Sequence, residues 1–275
     1  EAFQEVEYRR AFIEFAKWVV DIDDAARIPE LVGRAFAVAT SGRPGPVVIA
    51  LPEDMLVDEV MAPKALPYMP VPTHPGPAQI AELSARLEKA KRPLVILGGT
   101  RWTEQSVSDF TAFAERWKLP VACSFRRQML FDHAHPNYAG DVGIGINPEL
   151  ASEIREADLL LVIGARLGEM PSSSYSLLDI PYPRQTLVHV HSDAGELGRV
   201  YRPDLAINAD STSFAEALGG LSPTTAPAWS ARTEAMHASY LAWSTPPASG
   251  PGAVQMGPIM EWLEKNLPDD AIMTN

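Results

Sequence analysis

Ala157-Asp-Leu-Leu-Leu-Val-Ile-Gly-Ala-Arg166 is the stretch on which the fold turns. Five consecutive apolar residues leave no polar face, and a glycine closes the run. Such a run suits a strand covered on both sides, as in a parallel sheet with helices on each face. The same grammar recurs upstream in Arg92-Pro-Leu-Val-Ile-Leu-Gly-Gly99 and downstream in Gln185-Thr-Leu-Val-His-Val-His191, which Ser192-Asp193 closes. Shorter strands are expected at 120–124 and 205–209. Helices are expected at 78–90, 104–117, 148–156 and from Ser211 to about 218, with Ser211 as N-cap. Strands alternating with helices, most strands ending in Gly, Ser or Asp, predict an α/β fold: a doubly wound parallel sheet with helices on both faces. Ligands of such sheets bind beyond the carboxyl ends of the strands.

Around this centre the pattern is less complete. Residues 7–15 read as helix and Lys17-Trp-Val-Val20 as a short strand. Asp23-Asp24 then opens a helix to about Thr40, with Ile28, Leu31, Val32, Ala35, Phe36 and Ala39 on one face and Ser41-Gly42 at its end. Gly45-Pro-Val-Val-Ile-Ala-Leu51 is again a continuous apolar strand. Two strands are too few for a stable sheet, so the rest of that sheet is expected upstream of Glu1. Residues 56–77 form a proline-rich linker. Residues 221–252 form a second, with one helix at 229–243. A helix at 255–266, with Ile259, Trp262 and Leu263 on one side, precedes an apolar strand, Asp270-Ala-Ile-Met-Thr-Asn275, which ends abruptly. The chain therefore reads as an internal piece of a larger protein.

Composition narrows the function classes. With 275 residues, 46% hydrophobic and 21% charged, the chain is long enough for one large or two small globular domains. A net charge of −12 argues against nucleic acid as a partner. No apolar run reaches the ~20 residues that cross a bilayer, no leader with a cleavage site is evident, and a cytoplasmic protein is expected. The one cysteine, Cys123 at a strand end, reads as a buried structural thiol.

The candidate chemistry lies at the strand ends. Gly98, Gly99 and Thr100 sit between a strand and a helix, where backbone amides can approach a phosphate, although no third glycine completes a dinucleotide fingerprint. A tight turn with no ligand is the alternative. Arg166 suits a phosphate or a nucleotide ring, or else an ion pair with Glu169 or Glu156. Asp193 suits a ribose hydroxyl. Gly140-Asp-Val-Gly-Ile-Gly145 reads as a loop over the sheet edge, and Asp210 as helix-start chemistry. His133 with His135, and His189 with His191, lack the further ligands of a metal site. Neither metal ligands nor catalytic residues are assigned. Ser172-Ser-Ser174 has no nucleophile elbow around it.

Several of these strings together resemble the thiamine diphosphate-dependent enzymes of the acetolactate synthase, benzaldehyde lyase and pyruvate oxidase type. Ser41-Gly-Arg-Pro-Gly-Pro-Val-Val-Ile-Ala-Leu-Pro-Glu-Asp54 resembles the last strand of the family's pyrimidine-binding domain. Arg92–Gly99, Leu119-Pro-Val-Ala, His135-Pro-Asn-Tyr-Ala-Gly140, Ala157–Arg166 and Val188-His-Val-His-Ser-Asp193 resemble the central domain, and residues 256–275 the opening of the diphosphate-binding domain. The resemblance implies domains at 1–55 (end of the pyrimidine domain), 78–220 (central, Rossmann-like) and 253–275 (start of the diphosphate domain). It implies a thiamine diphosphate- and Mg2+-dependent carboligase or decarboxylase of 2-keto acids, a homodimer or homotetramer with a small-molecule substrate. The family's activating glutamate and its Gly-Asp-Gly…Asn metal motif have no counterpart in these residues. Some relatives hold FAD or ADP centrally. Asp141-Val-Gly-Ile-Gly145 and Arg166-Leu-Gly-Glu-Met170 depart from the flavin-binding strings, so the reading favours no FAD. A nucleotide, if held, is expected at Gly98, Gly99, Thr100, Arg166 and Asp193. A non-catalytic nucleotide-binding module and a structural subunit-contact module are the rival readings.

Overall fold

The structure is a computed structural model that describes residues 5–61, 66–246, 250, 252–268 and 270–273. The chain opens with a small unit: α1 (Tyr8–Phe12), β1 (Trp18–Asp21), α2 (Ile28–Thr40) and β2 (Val47–Ala50). β1 and β2 pair in parallel, Trp18 beside Val47 through Asp21 beside Ala50. Asp24 caps a short 3-10 turn before α2 by accepting from Ala26 N–H at 2.9 Å. Val20, Ile22, Ala25, Leu31 and Met55 form this unit's buried cluster, and Ala35 of α2 is buried as well. Among the described residues β2 has β1 as its one neighbour and stays half-exposed, and Phe36 on the apolar face of α2 is 55% exposed.

A connector leads to α3 (Pro77–Lys89), β3 (Pro93–Leu97), α4 (Glu104–Trp117), β4 (Val121–Ser124), β5 (Tyr138–Val142), α5 (Pro148–Glu156), β6 (Leu159–Ile163), β7 (Thr186–His191), β8 (Leu205–Asn208) and α6 (Ser211–Ala217). The six strands make one parallel sheet in the order β5-β4-β3-β6-β7-β8. This is the doubly wound arrangement expected from the sequence, and the order reverses between β3 and β6. Alternation along each strand divides the core into two layers. Val95, Leu97, Val121, Leu161, Ile163 and Val188 meet α3, α4 and α6 through Leu83, Leu87, Phe110, Phe113, Trp117 and Phe214. Leu94, Ile96, Leu160, Val162 and Leu187 face the other way, toward Leu150 and Ile154 of α5.

Three sequence expectations need correction. The first half of the stretch read as a loop over the sheet edge, Gly140–Val142, belongs to the edge strand itself, since Tyr138–Val142 is β5. Its sequence, Tyr-Ala-Gly-Asp-Val, lacks a branched apolar run, and the pairing with β4 shifts register between Val121 and Ala122. Residues 271–273 form no strand, while Thr274 and Asn275 of that expected strand, and Glu1–Gln4 at the opening, lie outside the described residues. The prolines and Lys64 of the first linker are also partly outside, at 62–65. Third, Asp210 rather than Ser211 occupies the N-cap position of α6, yet its carboxylate makes no cap bond; it is drawn into an ion pair with Arg101 at 2.8 Å.

Beyond the sheet, α7 (Ser230–Ser244) lies against β5, and α8 (Met256–Asn266) has no buried residue, with Trp262 exposed. α7 docks through side-chain donors at a spacing of four. Trp229 Nε1 donates to the Trp117 carbonyl (2.9 Å), Thr233 Oγ1 to that of Lys118 (2.7 Å) and His237 Nδ1 to that of Tyr138 (2.9 Å). These bonds place a helix over an edge strand that would otherwise present unpaired backbone.

Candidate functional site

The carboxyl ends of β3 and β6 meet at the reversal of strand order, and the turns that follow them are pressed together. Gly98 N–H donates to the Ile163 carbonyl at 2.9 Å, and Trp102 Nε1 donates to the Gly98 carbonyl at 2.8 Å. Gly99 has φ +70°, and a Cβ there would stand 2.1 Å from the Gly164 carbonyl oxygen. A Cβ on Gly98 would stand 2.7 Å from that of Ala165. The glycines thus let two backbones touch.

Above this contact opens a cleft of about 400 Å³, lined in part by Arg43, Gly99, Thr100, Arg127, Arg166 and His191. Of the five residues expected at a nucleotide, the cleft gathers Gly99, Thr100 and Arg166; Gly98 lies buried beneath it. Asp193, next to the lining residue Ser192, does not line it. Its carboxylate caps a turn by accepting from Gly195 N–H at 2.9 Å, and it packs beside Gly42. Arg166 pairs with Glu196 at 3.3 Å, not with Glu169 or Glu156, and Arg199 shares that carboxylate at 2.9 Å. Neither Arg43 nor Arg127 has an ion-pair partner among the described residues. In a chain of net charge −12 this is a local concentration of positive charge, suited to an anion.

The histidines are held for structure. His189 Nε2 donates to the Ala165 carbonyl at 2.9 Å, and burial pushes its pKa down to about 4. His191 Nδ1 accepts from Asp193 N–H at 3.0 Å. Burial lowers the His191 pKa as well; the Asp193 carbonyl oxygen, 3.2 Å from Nδ1, and the charges of Glu196 and Asp193 oppose this, while Arg43 adds a smaller push downward. Cys123 is buried as expected, its thiol pushed up to about 12 by burial first and by Asp141 second.

Among the described residues no group of three or more His, Cys, Asp or Glu side chains converges as metal ligands would. The carboxylates nearest the cleft are engaged elsewhere: Glu196 with arginines, Asp210 with Arg101, Asp193 with its own turn. These residues do not fit a magnesium-bound diphosphate.

Known proteins place this geometry in a family. The model of the thiamine pyrophosphate enzyme central domain matches residues 80–218, which carry all six strands of the large sheet. The chain belongs to the thiamine pyrophosphate enzymes. It is similar to the probable acetolactate synthase large subunit of Methanocaldococcus jannaschii, 30% identical over 219 residues, covering 76% of this chain and 36% of that protein. It is also similar to the sulfoacetaldehyde acetyltransferase of Castellaniella defragrans, 29% identical over 214 residues, covering 78% and 36%. The crystal structure of benzoylformate decarboxylase from Polynucleobacter necessarius superposes with a TM-score of 0.62 at 27% identity, over 76% of this chain and 39% of that one. The chain thus spans little more than a third of the length of these relatives.

Sequence reasoning missed Arg43, Arg127 and His191 as cleft residues. Arg43 was in view within Ser41–Asp54, but no local signal ties it to strand ends more than fifty residues away along the chain.

Proposed function

We propose that this chain is the central portion of a thiamine diphosphate- and Mg2+-dependent carboligase or decarboxylase acting on 2-keto acids, with the activating glutamate and the metal motif outside these residues. The observation that carries the reading is the family match across the whole six-stranded sheet. Similarity to acetolactate synthase, acetyltransferase and decarboxylase relatives supports the substrate class. The role of the present residues is to build a rigid sheet on which flanking catalytic parts are mounted, in a homodimer or homotetramer. The domain divisions at 1–55, 78–220 and 253–275 belong to the same proposal. No helix of the described residues is long and apolar enough to cross a membrane. The test is turnover of a panel of 2-keto acids by the complete protein, with and without thiamine diphosphate and Mg2+. Carbon dioxide release that needs both supports the reading. A complete protein that turns over none of them, or does so without the cofactor, removes it.

A second reading has its own observation: the arginine-lined cleft at the reversal of strand order. It fits the diphosphate of a nucleotide such as ADP, held by Arg43, Arg127 and Arg166 with the amides of Gly99 and Thr100 nearby. FAD stays disfavoured. Calorimetric titration of the chain with ADP, FAD and NAD tests this reading, and no heat with any of them ends it.

A further inference from the structure

The small unit and the large sheet have separate interiors. Among the described residues, no buried apolar cluster contains members from both. Apolar burial is non-directional in any case, so the angle between the two parts is left to directional polar bonds across the seam. One of these is peripheral: Ser192 Oγ donates to the Gly42 carbonyl at 3.0 Å. The others converge on a single side chain.

Arg101, in the turn between β3 and α4, has φ +63°. A left-handed backbone is costly for a residue with a side chain, and glycine would fit the turn at less cost. What arginine adds is reach. Its Nη1 donates to Asp210 Oδ2 at 2.8 Å, and its Nη2 donates to the carbonyl of Thr40, the last residue of α2. Carbonyls at a helix C-terminus lack intrahelical donors and favour a cation. Asp210 in turn holds the connector. Its Oδ2 accepts from Thr73 N–H at 3.0 Å, and its own N–H donates to the Thr73 carbonyl at 3.0 Å. The strained turn is braced from α6 by Thr212 Oγ1, which donates to the Arg101 carbonyl at 2.5 Å. The connector is tied to α2 as well: the Tyr68 and Thr40 hydroxyls lie 2.6 Å apart, and the Tyr68 ring stacks on Phe36. Four segments therefore meet at one ion pair, whose side chains are 19% and 5% exposed.

Desolvation offsets much of what such a pair gains, so its effect lies more in which arrangement is adopted than in how stable that arrangement is. We propose that Arg101 is a positioning residue: with Asp210 it sets the placement of the β1–β2 unit on the six-stranded sheet, and with it the geometry in which the flanking catalytic parts are mounted. The inference rests on the proposed function of the complete protein.

The test uses the complete protein with thiamine diphosphate and Mg2+. Arg101→Gln strands the Asp210 carboxylate and lowers the melting temperature whatever the pair does. The double variant Arg101→Gln with Asp210→Asn removes the stranded charge. It is expected to recover most of the melting temperature, while kcat on 2-keto acids stays down about tenfold or more and KM changes less. Its crystal structure is expected to show β1 and β2 displaced by about 1 Å or more against the large sheet, a scale at which misplaced groups cost up to about 100-fold in rate. Arg101→Lys keeps the charge without the two-pronged reach; its kcat is expected between those of the parent and the double variant, and it replaces the double variant if that one does not fold. Melting temperature and kcat that recover together make the pair structural only and overturn the proposal. A displaced unit with parent kcat, or a lowered kcat with the unit unmoved, overturns it too. If the complete parent turns over no 2-keto acid, the functional reading fails, and the displacement alone decides whether Arg101 sets the placement.

Discussion

β2 and β6 carry closely related sequences, Val47-Val-Ile-Ala50 and Leu159-Leu-Leu-Val-Ile163, yet they occupy different physical situations. β6 has a strand on each side and helices over both faces, and every residue in it is buried. β2 has one neighbour among the described residues and is half-exposed throughout. An apolar run specifies what a strand needs, and only the tertiary context supplies it. The small unit is held by a handful of buried side chains and a polar seam, whereas the large sheet has two full layers of core. Stability is expected to differ between the two accordingly.

The largest expected effect tests that difference directly. Ile96→Ala removes a side chain that is fully enclosed in the large sheet and should cost about 2–5 kcal/mol in chemical unfolding. Ile49→Ala, in half-exposed β2, should cost about 1 kcal/mol or less, because less apolar area is lost and water already reaches the site. Equal losses would show that β2 is as well covered as β3, the central neighbour of β6, and the contrast between the two sheets would fall.

Next comes the turn at which the large sheet reverses order. Gly99→Ala combines a left-handed backbone with a Cβ clash against the Gly164 carbonyl. Together these should cost about 2–4 kcal/mol, read as a drop in melting temperature. A neutral result would mean that the two turns separate freely.

A smaller effect comes from acid. The His189 pKa in the fold, about 4, lies below its ordinary value of 6.5 because burial disfavours the charged ring. The unfolded chain therefore binds the proton first. Stability contributed by the neutral ring is present at neutral pH, declines as pH falls below about 6.5, and is lost by about pH 4, to a total of up to ~3 kcal/mol. His191 is shifted in the same direction and adds to the slope. His189→Gln, which keeps a donor for the Ala165 carbonyl, should flatten unfolding free energy against pH over that window. An unchanged slope would place the acid sensitivity elsewhere.

How much of this was readable from residues alone depends on the kind of signal. The buried strands and their helices follow from periodicity, and α4 and α5 begin and end where the pattern says. β5 was invisible because Tyr138-Ala-Gly-Asp-Val142 has neither a continuous nor an alternating apolar pattern, and its place is set by pairing with β4 and cover from α7. α7 in turn looks like part of a connector because it docks by hydrogen-bond donors rather than by a broad apolar stripe. At the cleft, Gly99, Thr100 and Arg166 were legible because they follow strands. Arg43 and Arg127 were not, since nothing local encodes which distant loops converge. Asp210 shows the opposite error: cap chemistry was a sound local reading, and a half-buried arginine from another turn outcompeted it.

The smallest predicted effect returns to the small unit with the opposite sign. Gly33 lies inside α2, and a Cβ there would meet nothing within 4 Å. Alanine has no strain to overcome at this position and restricts the unfolded chain, so Gly33→Ala should stabilise the unit by about 0.5–1 kcal/mol. Native-state hydrogen exchange of α2 amides reads this locally, where a global melt of the large sheet would not. Gly33 and Gly99 thus make a matched pair, one glycine with space around it and one without. If Gly33→Ala instead loosens α2 in the complete protein, while tightening it in the present chain, another surface must pack against that face of α2 closely enough to exclude a methyl group. The sign of one small substitution would then distinguish a solvent-facing helix from an interface.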